Sequence, residues 1–206
     1  AKMIRENASR IKEIPPERIL TEFDKIVKKG DAMNGAFLLK DLRLTKEIFG
    51  KDAPLYVSNQ WYNVQTMGEF LWLLSHHIVD SIPDFYRINL KGEIDTYKEL
   101  KALEHAFQNE TTNPVAARLV AHNMYSYYPN ALQSGIIPDG IKRAAQELSS
   151  NKYPASFKEL AVNGNDLQSM GLKGREIGDT LRKLIQALYG DKVRNNKEEL
   201  LSLVTN

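Results

Sequence analysis

The stretch Asn163-Gly164-Asn165-Asp166-Leu167, followed by Gly171-Leu172-Lys173-Gly174-Arg175-Glu176-Ile177-Gly178 and a run to Leu188, decides how the chain is read. Asn163 to Asp166 reads as a short polar loop, and Gly171, Gly174 and Gly178 are spaced for a tight turn entering a helix directly. Ile177, Leu181, Leu184, Ile185 and Leu188 fall on one side of that helix, with Arg175, Asp179, Arg182 and Gln186 opposite. A helix start exposes backbone N–H groups that lack an acceptor within the helix, and Lys173 and Arg175 set full charges beside them. Two readings stay open on these residues. Either the turn holds an anion such as a nucleic-acid phosphate, a contact without base information, or its glycines only join two packed helices.

Outward from this stretch the same helical periodicity recurs. Met3, Ile4, Ala8 and Ile11 share one side of a first helix, which Pro15-Pro16 interrupts. Pro16 then suits the first turn of a second helix, with Ile19, Phe23, Ile26 and Val27 inward, Arg18, Glu22, Lys25 and Lys29 outward, and Gly30 at its end. Arg18 and Glu22, four apart, are spaced as an exposed ion pair contributing roughly 0.2–0.5 kcal/mol. Asp31 is placed to cap a helix to about Lys40 with Phe37, Leu38 and Leu39 inward, and Thr45 a short turn ending at Gly50. Between Lys51 and Gln65 the breakers Pro54, Asn59 and Asn63 predict a loop, in which Tyr56, Trp61 and Tyr62 are either core or rings for stacking on bases.

Thr66 to Ile78 is apolar nearly all round and predicts a central buried helix. His76, His77 and Asp80 do not fit a His-Asp metal hydrolase, which needs an adjacent His-Asp pair and further ligands, whereas His105 and His122 are scattered. Asp95 to Gln108 and Asn113 to Tyr127 read as a helical pair, Asp95 capping one and Pro114 opening the other, with Tyr125, Tyr127 and Tyr128 as packing groups. Glu93-Ile94-Asp95 fails as a two-metal carboxylate step, having no rigid strand behind a glycine-rich phosphate loop. A helix to about Ser149 follows Pro138-Asp139-Gly140, and Ser149-Ser150-Asn151 reads as a linker. No repeat and no sustained alternation is present, so the chain reads as all-α, an extended stack of helix pairs.

The 206 residues, 42% of them hydrophobic, suffice for a sizeable core, in one domain or two to three small subdomains. With a formal charge of only +2, any nucleic-acid contact must come from local patches. The absence of cysteine rules out disulfides and thiolate metal sites and fits a reducing compartment. The longest apolar run, Phe70 to Leu74, is too short to span a bilayer, and the expected location is the cytoplasm. A start at Ala1 in mid-helix reads as a piece of something longer.

The tail motifs, Asn163 to Leu167, Gly171 to Gly178 and Asn195-Asn196-Lys197-Glu198-Glu199-Leu200-Leu201, resemble the tail of bacterial-type tRNA nucleotidyltransferases, the CCA-adding enzymes, close kin of bacterial poly(A) polymerases. Pro16-Glu17-Arg18-Ile19-Leu20-Thr21-Glu22-Phe23 resembles that family's Glu-Arg-Ile-x-x-Glu-hydrophobic signature, on a helix just after the catalytic portion. The resemblance implies residues 1–50 as the end of the neck and first body helices, 51–150 as helical body and 151–206 as tail. It implies phosphate contacts from Gly171, Leu172, Lys173, Gly174 and Arg175, with Arg182 as a further contact, and a role for Glu17, Arg18 and Glu22 in bracing the head. The family's glycine-rich loop, Asp-x-Asp or Asp-x-Glu metal pair and Arg-Arg-Asp step are not found here, so no catalytic residue is assigned. Mg2+ with CTP and ATP is implied for a head elsewhere in the polypeptide, and tRNA or another structured RNA is the implied partner. The alternatives are the same part of a poly(A) polymerase, or a non-catalytic helical interaction module.

Overall fold

The computed structural model describes residues 2–205. Every regular element among them is helical. Two compact units divide the chain: one holds the residues up to Phe107 together with Gln133–Ile137, the other Gln108–Leu132 and the residues from Pro138 onward.

The first unit contains α1 (Lys2–Glu6), a 3-10 segment Ala8–Glu13, α2 (Pro16–Lys28), α3 (Ala32–Asp41), α4 (Leu44–Phe49), a 3-10 turn Asn59–Asn63, α5 (Met67–Ser75), α6 (Ile82–Ile88) and most of α7 (Ile94–Gln108). Pro16 occupies the first turn of α2 and Gly30, at φ 69°, follows its end, as the sequence predicts. Phe23 and Val27 are buried, Phe23 meeting Phe70 of α5 edge-on at 5.6 Å between centroids. Gly35 allows α3 to approach α2, since a Cβ there would stand 2.3 Å from Ile26 Cγ2. Residues 68–75 of α5 are all buried, which makes it the centre of this unit.

Several local expectations are corrected. The stripe expected on the first helix is largely exposed at Met3 and Ile4, and the helix gives way to 3-10 geometry at Ala8. Leu38 points outward, because Ala32 and Ala36 supply the buried face of α3. Asp31 sits at the N-cap position, but its carboxylate accepts from the Asn34 side chain at 2.8 Å instead of from the helix backbone. Thr45 is not a cap: α4 begins after Arg43, in left-handed conformation at φ 62°, and Thr45 is buried inside the helix. Asp95 lies within the first turn of α7 and pairs with Lys98 at 3.3 Å.

The second unit contains α8 (Pro114–Tyr127), α9 (Asp139–Ser149), a 3-10 turn Phe157–Glu159, α10 (Gly164–Ser169), α11 (Arg175–Tyr189) and α12 (Lys197–Thr205). Asn113 caps α8 by accepting from the N–H groups of Val115 and Ala116 at 3.0 and 3.1 Å, with Pro114 in the first turn. Tyr127, expected to pack, is half exposed. Arg118 of α8 is buried where α8, α9 and α11 meet: it grips Glu147 through Nε at 2.7 Å, donates from Nη1 to the carbonyl of Tyr189, and lies 4.1 Å from the Tyr153 ring centroid. The Tyr189 hydroxyl donates to Pro154 O at 2.7 Å beside the buried His122 ring. These bonds tie the Tyr153–Ala155 segment and α9 to α11 within one unit. No helix of the described residues is long and apolar enough to cross a membrane.

Candidate nucleic-acid interface

The tail turn is built from two consecutive helix ends. Asn163, expected in a polar loop, instead caps α10: its side chain accepts from Asn165 and Asp166 N–H, and Asp166 returns a bond to Asn163 N–H at 2.9 Å. Gly171, at φ 96°, closes α10, its N–H donating to Gln168 O and that of Leu172 to Leu167 O. Gly174 follows at φ 52° and ψ −121°, a region open only to glycine, and forms the N-cap of α11. Gly171 and Gly174 are therefore required by the backbone path itself.

The amides of this turn are mostly engaged. Lys173 N–H donates to Glu176 Oε2 at 3.1 Å, and Glu176 N–H to Lys173 O. With Gly171 and Leu172 N–H spent on α10, the positive character presented to solvent comes chiefly from side chains. Lys173, Gly174, Arg175, Arg182 and Lys183 are exposed, the Arg175 side chain to 93%, and a Cβ at Gly171, Gly174 or Gly178 would meet nothing within 4 Å. Asp179 lies between Arg175 at 3.6 Å and Arg182 at 2.6 Å, so one carboxylate holds both guanidinium groups along the outer face of α11. The inner face buries Leu184, Ile185 and Leu188, as the periodicity predicts.

The remaining tail motif is internal scaffolding. Asn195 accepts from Ala161 N–H at 2.9 Å and donates to Glu159 O at 2.8 Å, and Lys197 pairs with Asp166 at 2.5 Å. Asn196 accepts from Glu199 N–H, while Glu199 accepts from Arg194 N–H at 2.7 Å. The Arg194 N–H, and after it the Asn196 side-chain amide donating to Oε1 at 2.8 Å, hold the Glu199 carboxyl below the ordinary range, as Lys197 does that of Asp166.

On α2, Glu17, Arg18 and Glu22 are all exposed. The anticipated Arg18–Glu22 pair is replaced by Glu22–Lys25 at 2.7 Å, and that hydrogen bond lowers the Glu22 pKa. Glu17 lines a groove of about 570 Å³ together with Leu20, Asp24, Met67, Tyr86 and Glu93.

Of the three loop aromatics, Trp61 is core and Tyr56 and Tyr62 face solvent. The histidines do not converge: among the described residues no three His, Asp or Glu side chains are grouped to hold a metal ion. His76 donates from Nδ1–H to Trp72 O at 2.9 Å and His122 is buried beside Phe157 and Tyr189, and burial pushes both rings toward the neutral form.

Two of these features escaped the sequence reading. The Asn163-x-x-Asp166 box is a legible helix start. Arg118 and His122, four apart on one side of α8, signal a buried polar side of that helix, although nothing local names their partners.

The all-α architecture narrows the class, and comparison with known families narrows it further. Residues 1–54, about a quarter of the chain, match a family model described as the probable RNA and SrmB-binding site of polymerase A. The match covers α1 to α4 and includes the Pro16–Phe23 signature, and it supports kinship of that segment with the poly(A) polymerase and CCA-adding enzymes and an RNA-binding role. No curated protein and no solved structure matches the chain.

Proposed function

We propose that the chain is the RNA-docking part of a CCA-adding tRNA nucleotidyltransferase, holding tRNA by its backbone so that the 3′ end reaches a catalytic head elsewhere in the same polypeptide. The observation carrying this reading is the match of residues 1–54 to an RNA-binding family model. The tail resemblance from Asn163 to Leu201 favours the CCA-adding branch. On this reading residues 1–50 end the neck and begin the body, 51–150 complete the body and 151–206 form the tail. Exposed Glu17, Arg18 and Glu22 brace the head, and Lys173, Arg175 and Arg182 contact phosphate through their side chains, with the glycine turn leaving room for a strand to approach. Mg2+, CTP and ATP belong to the head, and the protein works in the cytoplasm.

The matching family model describes a site of polymerase A, which favours a second reading, the equivalent part of a poly(A) polymerase. Competition binding separates the two. Preference for tRNA over an unstructured A-rich RNA of equal length supports CCA addition, the reverse preference supports polyadenylation, and binding to neither removes both.

A further inference from the structure

We infer that the turn from Tyr56 to Tyr62 is a stacking platform for unpaired RNA bases. The inference rests on the RNA-binding reading and extends it to residues beyond the matched segment, which ends at Pro54. Tyr56 and Tyr62 are 69% and 73% exposed, with Val57 at 74% beside them. Among the described residues neither tyrosine ring has an aromatic neighbour or a partner for its hydroxyl.

The rings are displayed on backbone that is held fast. Trp61, buried and edge-on to Phe70 at 6.3 Å, donates from its indole N–H to Tyr56 O at 3.0 Å, which brings the two tyrosine-bearing ends of the turn together. Gln60 donates to Ile136 O at 3.2 Å and Asn63 to Gly135 O at 3.4 Å, fixing the 3-10 turn against a distant part of the same unit. Rings on pinned backbone lose little freedom when a ligand covers them.

The surroundings suit bases better than a protein partner. No charged residue lies between Asp52 and Glu69, so no carboxylate on this stretch repels a phosphate backbone. The exposed apolar groups are two phenols and the short side chain of Val57, interleaved with Ser58, Asn59 and Asn63, whose hydroxyl and amides can meet base edges; no Leu, Ile or Met of this turn is exposed. Every base offers a π face, so the platform accepts single strands with little sequence preference.

The test uses the full chain and a short unstructured RNA carrying a fluorescent adenine analogue, compared with a blunt RNA duplex. Tyr56→Ala and Tyr62→Ala should each weaken single-strand binding at least about fivefold and diminish the quenching of the analogue. Tyr→Phe at either position should keep both, and duplex binding should not change. Both rings are exposed, so thermal unfolding should stay as in the parent chain. Undiminished binding by both alanine variants overturns the inference while leaving RNA docking intact. Equal losses on duplex RNA, or losses in the Phe variants as large as in the Ala ones, also overturn it. A parent chain that binds no RNA removes the RNA-binding reading itself.

Discussion

The hydroxyl of Thr66 donates to Oε1 of Glu99 at 2.5 Å and accepts from Glu69 N–H at 3.1 Å, so one side chain caps α5 and ties it to α7. Glu69 completes a capping box by accepting from Gln65 and Thr66 N–H. Removing the oxygen by Thr66→Val should cost about 1–2 kcal/mol of stability. Trp61 and Trp72, the only tryptophans, both lie in the first unit, so denaturant unfolding followed by tryptophan fluorescence reports the loss there. An unchanged midpoint would show that the cap contributes little.

Glu99 itself is poised to titrate near neutrality. Burial is the largest cause and the Glu69 carboxylate adds to it, against the bonds from Thr66 and Gly68, raising the Glu99 pKa to about 7. The folded state thus holds the proton more tightly than the unfolded chain. Stability from this group is complete below the unfolded value near 4.5 and is lost as the pH rises to about 7. Glu99→Gln should be close to neutral at acid pH and stabilise the first unit by about 1–3 kcal/mol above pH ~7.5. A variant whose advantage is the same at both ends of the range would contradict this assignment.

Arg118 joins α8, α9 and α11, its bond to Glu147 raising its own pKa and lowering that of Glu147. Arg118→Ala strands the carbonyl of Tyr189 and removes the cation over Tyr153. The expected loss is about 3 kcal/mol in the second unit. Far-UV circular dichroism during unfolding should resolve it while tryptophan fluorescence is unmoved. A loss seen equally by both signals would place the effect elsewhere.

Lys173→Ala with Arg175→Ala should weaken binding to different tRNAs about equally and reduce the slope of log affinity on log salt by roughly two. The exposed side chains make a change in thermal stability unexpected. Gly174→Ala, placed at φ 52°, should instead destabilise the turn by about 1 kcal/mol or more. Equal RNA binding by the double variant and the parent would reject the phosphate assignment.

The legible parts of the fold are those with a local cause. Pro16 and Gly30 bracket α2 because ring geometry and left-handed backbone act within a few residues, and Asn113-Pro114 opens α8 for the same reason. The buried character of α5 follows from its composition alone. Leu38 was misjudged because Ala32 and Ala36, not the larger groups, face the neighbours of α3, and Thr45 because α4 starts after left-handed Arg43 and turns Thr45 inward, tertiary choices that helical spacing does not record. At the candidate interface the glycine turn, its cations and the polar face of α11 are visible in the sequence. The competition of Glu176 for the turn's amide is a matter of rotamer and reach. Likewise, Tyr56, Trp61 and Tyr62 announce a loop with aromatics, but only the bonds from Gln60 and Asn63 to residues more than seventy positions away decide which ring goes inside.

The most direct test of RNA docking is the affinity of the 206-residue chain for tRNA as a function of salt. Backbone contacts by exposed cations predict binding that weakens by about tenfold or more between roughly 50 and 200 mM salt, with little dependence on tRNA sequence. No binding at the lower salt, or binding indifferent to salt, would contradict it.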